Sequence, residues 1–188
     1  MRVLGIDPGT AIVGYGIIDY KDKKMQEIFY NCIYTSKDLE MNERLLLIYR
    51  ELKVIIETYK PDVLAIEELF YFKNNKTVIS VSQARGVILL AAMEMGLKIY
   101  EYTPLQVKMG ITGYGRAEKK QIQLMVQKLL KMEEIPKPDD AADALAVAIT
   151  HINTSNSLLS NLRTKKIDVK SLSKTKLTAK EYRDLFTK

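Results

Sequence analysis

Carboxylates stand at three places in the chain where an apolar core residue would be expected. Asp7 ends a short apolar run near the N-terminus, and Glu67 ends a second run, with Glu68 beside it. Asp140 and Asp143 lie three residues apart at the start of an alanine-rich stretch with helical character, so both side chains leave the same helix face. Several carboxylates brought together repel one another, and a shared cation resolves that repulsion.

The ligand chemistry favours a hard cation. Ligation by oxygen alone suits magnesium or manganese rather than zinc. His151 is the only histidine and Cys32 the only cysteine, so the sequence has no Cys and His cluster for zinc. Two such ions roughly 3.5–4 Å apart can activate water and stabilise the leaving 3′-oxygen of a phosphodiester. The acids therefore predict metal-dependent phosphodiester cleavage.

Each acid also has a simpler explanation. Asp7 precedes Pro8 and suits a turn, and capping of a helix N-terminus accounts well for either Asp139 or Asp140. Asp143 is harder to explain in this way, because it interrupts an apolar helix face.

The two adjacent glutamates cannot both join one site. Strand alternation points Glu67 and Glu68 to opposite sides of a sheet. Their spacing alone does not choose between them.

The pattern of elements that must position these acids is βββαβαβαα. The predicted strands are Arg2–Ile6, Ile12–Tyr20, Met25–Tyr34, Asp62–Glu67 and Lys98–Thr103, and the last of them stops at Pro104. The predicted helices are one with Asn42 as its N-cap that ends at Pro61, then Thr77–Met95 closed by Gly96, about Ala117–Lys131, and Asp139–His151. A loop containing Gly110, Gly113 and Gly115 is expected before the third helix. This order predicts an α/β fold, an RNase H-like mixed five-stranded sheet flanked by helices.

The domain boundary is predicted from composition. Residues 1–152 form the expected nuclease domain, and 153–188 a basic C-terminal tail, partly disordered. A possible capping box of Thr178 and Glu181 predicts a short helix, Ala179–Phe186, in the tail. The tail could dock on the body or a partner, or strengthen nonspecific DNA binding.

The charge is unevenly distributed. The net charge is +6, and residues 1–152 carry 20 basic and 20 acidic side chains, so the excess lies in the tail. Within the neutral body, residues 73–120 hold eight basic groups against three acids. A basic surface beside an acidic centre suits a polyanion held next to metal ions, although solvated lysines on helices are an equally simple explanation.

An ordered set of motifs over residues 1–152 resembles the RuvC family of Holliday junction resolvases. The motifs, in chain order, are Gly5-Ile-Asp-Pro-Gly-Thr10, Gly14-Tyr-Gly16, Ala65-Ile-Glu67, Gln83-Ala-Arg-Gly86, Gln106-Val-Lys108, Ala117-Glu-Lys119, Asp140-Ala-Ala-Asp-Ala-Leu145 and Thr150-His151. One such motif is weak evidence, whereas the ordered set is specific.

The resemblance implies a crossover junction endodeoxyribonuclease acting in recombination and repair. It implies a homodimer that binds a four-way DNA junction and hydrolyses opposing strands symmetrically, with two Mg²⁺ per site that Mn²⁺ can replace. The catalytic, metal-binding acids would be Asp7, Glu67, Asp140 and Asp143, which favours Glu67 over Glu68. Lys108 and Lys119 would lie near the scissile phosphate and neutralise charge in the transition state, although either could be a solvated surface lysine.

DNA contacts are expected from an aromatic loop and from the basic surface. Phe70 matches the position of an aromatic that the family wedges into the junction, whereas Tyr71 and Phe72 could equally be core residues. The basic DNA-binding candidates are Lys73, Lys76, Arg85, Arg116 and Lys120.

The compartment and the partners follow from weaker arguments. The stretch before Asp7 is too short for a signal peptide. The sequence has no run of 18 apolar residues, so no membrane span is expected. A single cysteine suits a reducing cytoplasm. Branch-migration proteins of the RuvA and RuvB kind are implied as partners by the resemblance alone. The nearly all-apolar helix Thr77–Met95 could pack on the sheet and on a second subunit.

Three rival functions stay open at this stage. Asp7-Pro-Gly-Thr10 loosely fits the phosphate loop of actin-like and sugar-kinase ATP-binding proteins, which need two such domains. Another RNase H-like nuclease, such as a transposase core, would use the same acids. A junction-binding protein without catalysis would have no need to cluster negative charge near phosphate.

Overall fold

The fold is built on a mixed five-stranded sheet with the strand order β3-β2-β1-β4-β5. A computed structural model describes residues 1–69 and 78–156. Its strands are β1 (Arg2–Asp7), β2 (Ile12–Lys21), β3 (Lys24–Tyr34), β4 (Val63–Glu67) and β5 (Lys98–Tyr102). The first three form an antiparallel meander, and β1, β4 and β5 run parallel to one another. The predicted RNase H-like fold is confirmed.

Within the described residues, five helices cover the two faces of the sheet. They are α1 (Met41–Tyr59), α2 (Val78–Glu94), α3 (Pro104–Thr112), α4 (Lys119–Leu130) and α5 (Asp139–Asn156). The buried residues of α1 and α2 share one apolar core with one side of the sheet, and those of α3, α4 and α5 share a second core with the other side. Both faces of the central strands are therefore covered, which explains why β1 and β4 are apolar almost throughout.

Helix α5 packs closely over β1 and β2 because glycines and alanines line the contact. A Cβ on Gly14 would lie 2.0 Å from the Asp140 carbonyl oxygen, and one on Gly5 would lie 2.1 Å from the Ala144 carbonyl oxygen. Both distances are far below van der Waals contact, so only glycine allows this approach. The close contact places the first turn of α5 over the end of β1.

Several helix boundaries differ from the sequence prediction by one to five residues. The first helix begins at Met41 with Glu40 as its N-cap, and a capping box between Glu40 and Glu43 explains why Asn42 is not the cap. The fourth helix begins at Lys119 after the cap Glu118. Helix α5 continues past His151 to Asn156.

Helix α3 was not predicted at all. Thr103 caps it by accepting a hydrogen bond from the Gln106 backbone N–H, Pro104 occupies its first turn, and Gly113 ends it with a φ of 71°. The predicted glycine loop is therefore helical over its first part.

Some predictions fall outside the described residues. These are the helix, capping box and disorder of the tail beyond residue 156, and the aromatic loop over 70–77. No helix in the described part of the chain combines the length and apolar character that a membrane crossing requires.

Candidate active site

Two of the predicted acids come from neighbouring parallel strands. Ile6 pairs with Ile66 in the parallel ladder between β1 and β4, so the next residues, Asp7 and Glu67, leave the same edge of the sheet. Adjacent strands lie about 4.8 Å apart, which brings the two carboxylates near each other. The alternation predicted for the glutamates also holds in space. Glu67 lines a cleft with Asp143, whereas Glu68 lines a separate groove.

The other two acids come from the first turns of α5. Asp143 faces the cleft of about 200 Å³ that Glu67, Lys108 and Lys119 also line. Asp140 lies at the point where α5 crosses β2 at Gly14, which is the residue paired with Asp7. The packing of α5 on the glycine surface therefore brings all four acids to one end of the sheet.

The electrostatics of Asp7 and Glu67 show how closely the acids are grouped. Burial, followed by the charges of Glu67, Asp143 and Asp140, raises the pKa of Asp7 to about 8 against a lowering by Lys119. Burial and the charge of Asp143 raise the pKa of Glu67 to about 7, and Lys108 opposes them. Without a cation, these carboxylates therefore retain protons near neutral pH.

Lys119 supplies positive charge to the site. Its Nζ lies 3.0 Å from Asp143 Oδ2 and 3.4 Å from Asp139 Oδ2. Burial lowers the pKa of Lys119, but the hydrogen bond and charge of Asp143, together with Asp139, outweigh burial and raise the pKa above its ordinary value. Burial raises the pKa of Asp143, and the ion pair with Lys119 partly offsets that rise.

The donor set fits a hard divalent cation. It consists of half-buried carboxylate oxygens that repel one another, which a magnesium-like ion would neutralise. Among residues 1–69 and 78–156, no three His, Cys, Asp or Glu side chains are already arranged as a group that could hold a metal ion. The carboxylates nevertheless share one charged environment, because Glu67, Asp140 and Asp143 each raise the pKa of Asp7.

The predicted DNA-binding residues differ in their surroundings. Arg85 on α2 is largely buried, and its Nη2 donates to Glu101 Oε2 at 2.5 Å. Arg116 and Lys120 are exposed. Phe70, Lys73 and Lys76 lie outside the described residues.

Sequence reasoning missed two contacts near the site. The pairing of Asp139 with Lys119 was not expected, because helix capping accounted for either Asp139 or Asp140. The second is a buried hydrogen bond of 2.7 Å between Tyr102 Oη and His151 Nδ1. The only signal for it was a histidine within an otherwise apolar helix face.

A comparison with protein-family models identifies the family to which the chain belongs. The family model for "Crossover junction endodeoxyribonuclease RuvC" matches residues 3–151, which include every element of the sheet and the whole cleft. The chain belongs to the RuvC family.

Individual members of the RuvC family agree with this assignment. The crossover junction endodeoxyribonuclease RuvC of Fusobacterium nucleatum subsp. nucleatum is 60% identical over 190 residues, covering 100% of both chains. The structure of Thermus thermophilus RuvC superposes with a TM-score of 0.77 at 35% identity, covering 82% of this chain and 95% of that one. The T. thermophilus RuvC structure in complex with a Holliday junction substrate has a TM-score of 0.75 at 33% identity, covering 82% and 94%.

Proposed function

We propose that this protein is a structure-selective endonuclease that resolves four-way DNA junctions by symmetric hydrolysis of phosphodiester bonds on opposing strands, in recombination and repair. The observation that carries the proposal is the meeting of Asp7, Glu67 and Asp143 with Lys119 at one end of the sheet, in a chain of the RuvC family. The T. thermophilus relative crystallised with a Holliday junction supports this substrate class.

Asp7, Glu67, Asp140 and Asp143 are the proposed catalytic and metal-binding acids. We expect two Mg²⁺ per site, which Mn²⁺ can replace, because the donors are all carboxylates. When bound, these ions supply an activated water and stabilise negative charge on the phosphate and the leaving oxygen. The raised pKa values of Asp7 and Glu67 mean that cation binding displaces protons from the site.

Lys108 and Lys119 are the proposed phosphate-neutralising residues. Both line the cleft beside Glu67 and Asp143, so a phosphate held there lies within reach of their ammonium groups. The ion pair of Lys119 with Asp143 holds the lysine at the site before DNA arrives. A cation bound by Asp143 would free Lys119 to interact with the phosphate as negative charge builds on it.

DNA binding outside the cleft is assigned to the basic residues and the aromatic loop. The exposed Arg116 and Lys120 flank the start of α4, next to Lys119. Arg85 would contact DNA only by leaving its ion pair with Glu101. Phe70 is the proposed wedge at the junction crossover, with Lys73 and Lys76 of the same predicted loop as DNA contacts beside it.

A homodimer is the proposed assembly, because a junction offers two equivalent strands to a two-fold enzyme. Large apolar side chains on α1 and α2 are available for it: Val54 is 56% exposed, Ile79 74% and Leu90 63%. Branch-migration proteins of the RuvA and RuvB kind are the proposed partners, and the bacterial cytoplasm, where chromosomal DNA lies, is the proposed compartment.

Cleavage of labelled synthetic substrates tests this function. Wild type and Asp7→Asn are compared on a four-way junction, a duplex and a Y-fork, with Mg²⁺ or EDTA. We expect paired, ligatable nicks on opposing strands of the junction alone, abolished by EDTA and by the substitution. Junction binding without cleavage in any divalent metal would instead identify a binding protein, and cleavage of duplex or of an RNA hybrid would indicate another nuclease of the same fold.

A further inference from the structure

Helix α5 carries Asp140 and Asp143 but packs chiefly on β1 and β2, at one half of the sheet. Glu67 lies on β4, in the other half. In the part of the chain that the structure describes, the strand beyond it, β5, is an edge strand paired only with β4. β4 is tied to α5 through its ladder with β1 and through direct packing, so the distance across the cleft between Glu67 and Asp143 depends in part on what further ties β5 to α5.

Tyr102 is the residue of β5 that holds the backbone around Glu67. It pairs with Glu67 in the parallel ladder, and its carbonyl oxygen accepts a hydrogen bond of 2.8 Å from the Glu68 N–H. The next residue, Thr103, caps α3, the helix that carries Lys108. A displacement of Tyr102 would thus move both Glu67 and Lys108.

The side chain of Tyr102 crosses to α5. Its hydroxyl oxygen lies 2.7 Å from His151 Nδ1, and both residues are almost fully buried, at 1% and 3% exposed. The ring of Tyr100 also packs against His151, with 4.4 Å between ring centroids. His151 follows Asp143 by eight residues, about 12 Å along a helix axis.

We propose that Tyr102 and His151 are positioning residues, and that their buried hydrogen bond sets the placement of Glu67 relative to Asp143 across the cleft. A rigid helix carries the constraint from His151 to Asp143, and the β-ladder carries it from Tyr102 to Glu67. This inference rests on the proposed function, because it concerns the metal-binding acids assigned there.

A direct role of His151 in proton transfer does not fit the structure. His151 does not line the cleft. Burial lowers its pKa to about 4, so the ring is neutral at the pH where a nuclease works. The hydrogen bond is therefore one between neutral groups, which orients its partners without supplying charge.

The test measures magnesium binding and cleavage separately. Melting temperature is followed against Mg²⁺ concentration for wild type, Tyr102→Phe, the double variant Tyr102→Phe/His151→Leu and the control Thr150→Val. Thr150 is buried in the same helix, where its hydroxyl donates to the Ala146 carbonyl oxygen at 2.8 Å and lies 3.5 Å from the Val107 carbonyl oxygen of α3, but it does not reach β5. Single-turnover cleavage of a four-way junction and junction affinity are then measured at saturating Mg²⁺.

We expect Tyr102→Phe to raise the Mg²⁺ concentration at half-saturation and to slow cleavage, each by about tenfold, with junction affinity unchanged within about twofold. The double variant replaces both polar partners by apolar groups, so it should regain melting temperature without regaining magnesium affinity. Thr150→Val should lose melting temperature only. This separation is what a positioning role predicts.

Three outcomes would contradict the proposals, and they are distinguishable. If Tyr102→Phe melts at lower temperature but binds magnesium as wild type does, or if the double variant regains both properties, the contact is merely structural and the inference is wrong. If magnesium has no effect on the wild-type melting temperature, the inference fails together with the metal site. If wild type binds magnesium but does not cleave junctions, the proposed function alone fails.

Discussion

Substitution of Gly14 by alanine is predicted to disable the site through one added methyl group. The new Cβ would lie 2.0 Å from the Asp140 carbonyl oxygen and 2.3 Å from its carbonyl carbon, where ordinary contact begins at 3.4 Å. Both atoms are backbone and cannot rotate away, so the first turn of α5 must move by more than about 1 Å, and a misplacement of this size can slow catalysis about 100-fold. Overpacking should also lower the free energy of unfolding by about 1–3 kcal/mol.

Gly16→Ala provides a matched control on the same strand and the same face. Its Cβ would meet Leu145 Cδ2 at 2.6 Å and Cγ at 2.8 Å, both atoms of a side chain that can shift, whereas the nearest backbone atom is 3.3 Å away. Single-turnover cleavage of a four-way junction is measured for both variants below their melting temperatures. We expect Gly14→Ala to lose about 100-fold in rate and Gly16→Ala less than about threefold. A folded Gly14→Ala protein that cleaves as fast as wild type would refute the argument that this contact positions Asp140 and Asp143.

Three further predictions concern the charges of the site and of its surroundings. The folded-state pKa of Asp7, about 8, lies above that of an unfolded chain, so the folded protein binds more protons and loses stability as the pH rises towards that value. Melting temperatures in EDTA should fall over this pH range, and by less in Asp7→Asn; the same fall in both proteins would contradict the prediction. Lys119→Met removes the ammonium group beside Asp143 and should slow cleavage about 100-fold while leaving junction affinity nearly unchanged. Lys128→Met on the same helix is the control, and equal rates for the two variants would count against a role for Lys119. Arg85→Met leaves the carboxylate of Glu101 largely buried and unpaired, which should lower the free energy of unfolding by about 2–4 kcal/mol in urea titrations. The double variant Arg85→Met/Glu101→Gln should recover part of the lost stability, and no recovery would show that the ion pair is not the cause.

The placement of Asp7 and Glu67 could be predicted because it depends on local pattern. Each ends an apolar run of strand length, and parallel neighbours in a sheet bring their carboxyl ends to one edge. Asp140 and Asp143 could be placed on one helix face by their spacing. That α5 crosses the sheet at Gly14, above Asp7, could not be predicted, because it depends on how closely two distant segments pack.

Helix α3 was missed because its sequence signals are ambiguous. Pro104 ends a strand as readily as it begins a helix, and Gly110 and Gly113 favour a loop. The helix forms because Thr103 caps it and because Gly110 allows close contact with α5, where an added Cβ would lie 2.7 Å from Thr150 Cγ2. The capping box of Thr103 and Gln106 is the local signal that could have identified it.

The partners of Lys119 and His151 could not be derived from the sequence. Lys119 contacts Asp139 and Asp143 across two helices that are separated by a loop. His151 meets Tyr102 across a separation of 49 residues. Both contacts follow from tertiary packing, and a pattern within one element carries no information about them.

The location of bound manganese tests the central claim most directly. Crystals of the wild-type protein soaked in Mn²⁺ are measured at a wavelength where manganese scatters anomalously, with Asp7→Asn as the control. The proposed site predicts anomalous density between Asp7, Glu67 and Asp143, lost or weakened in the variant. Manganese bound only at the exposed Asp139, or density that is unchanged in Asp7→Asn, would contradict the assignment of these acids as the metal-binding centre.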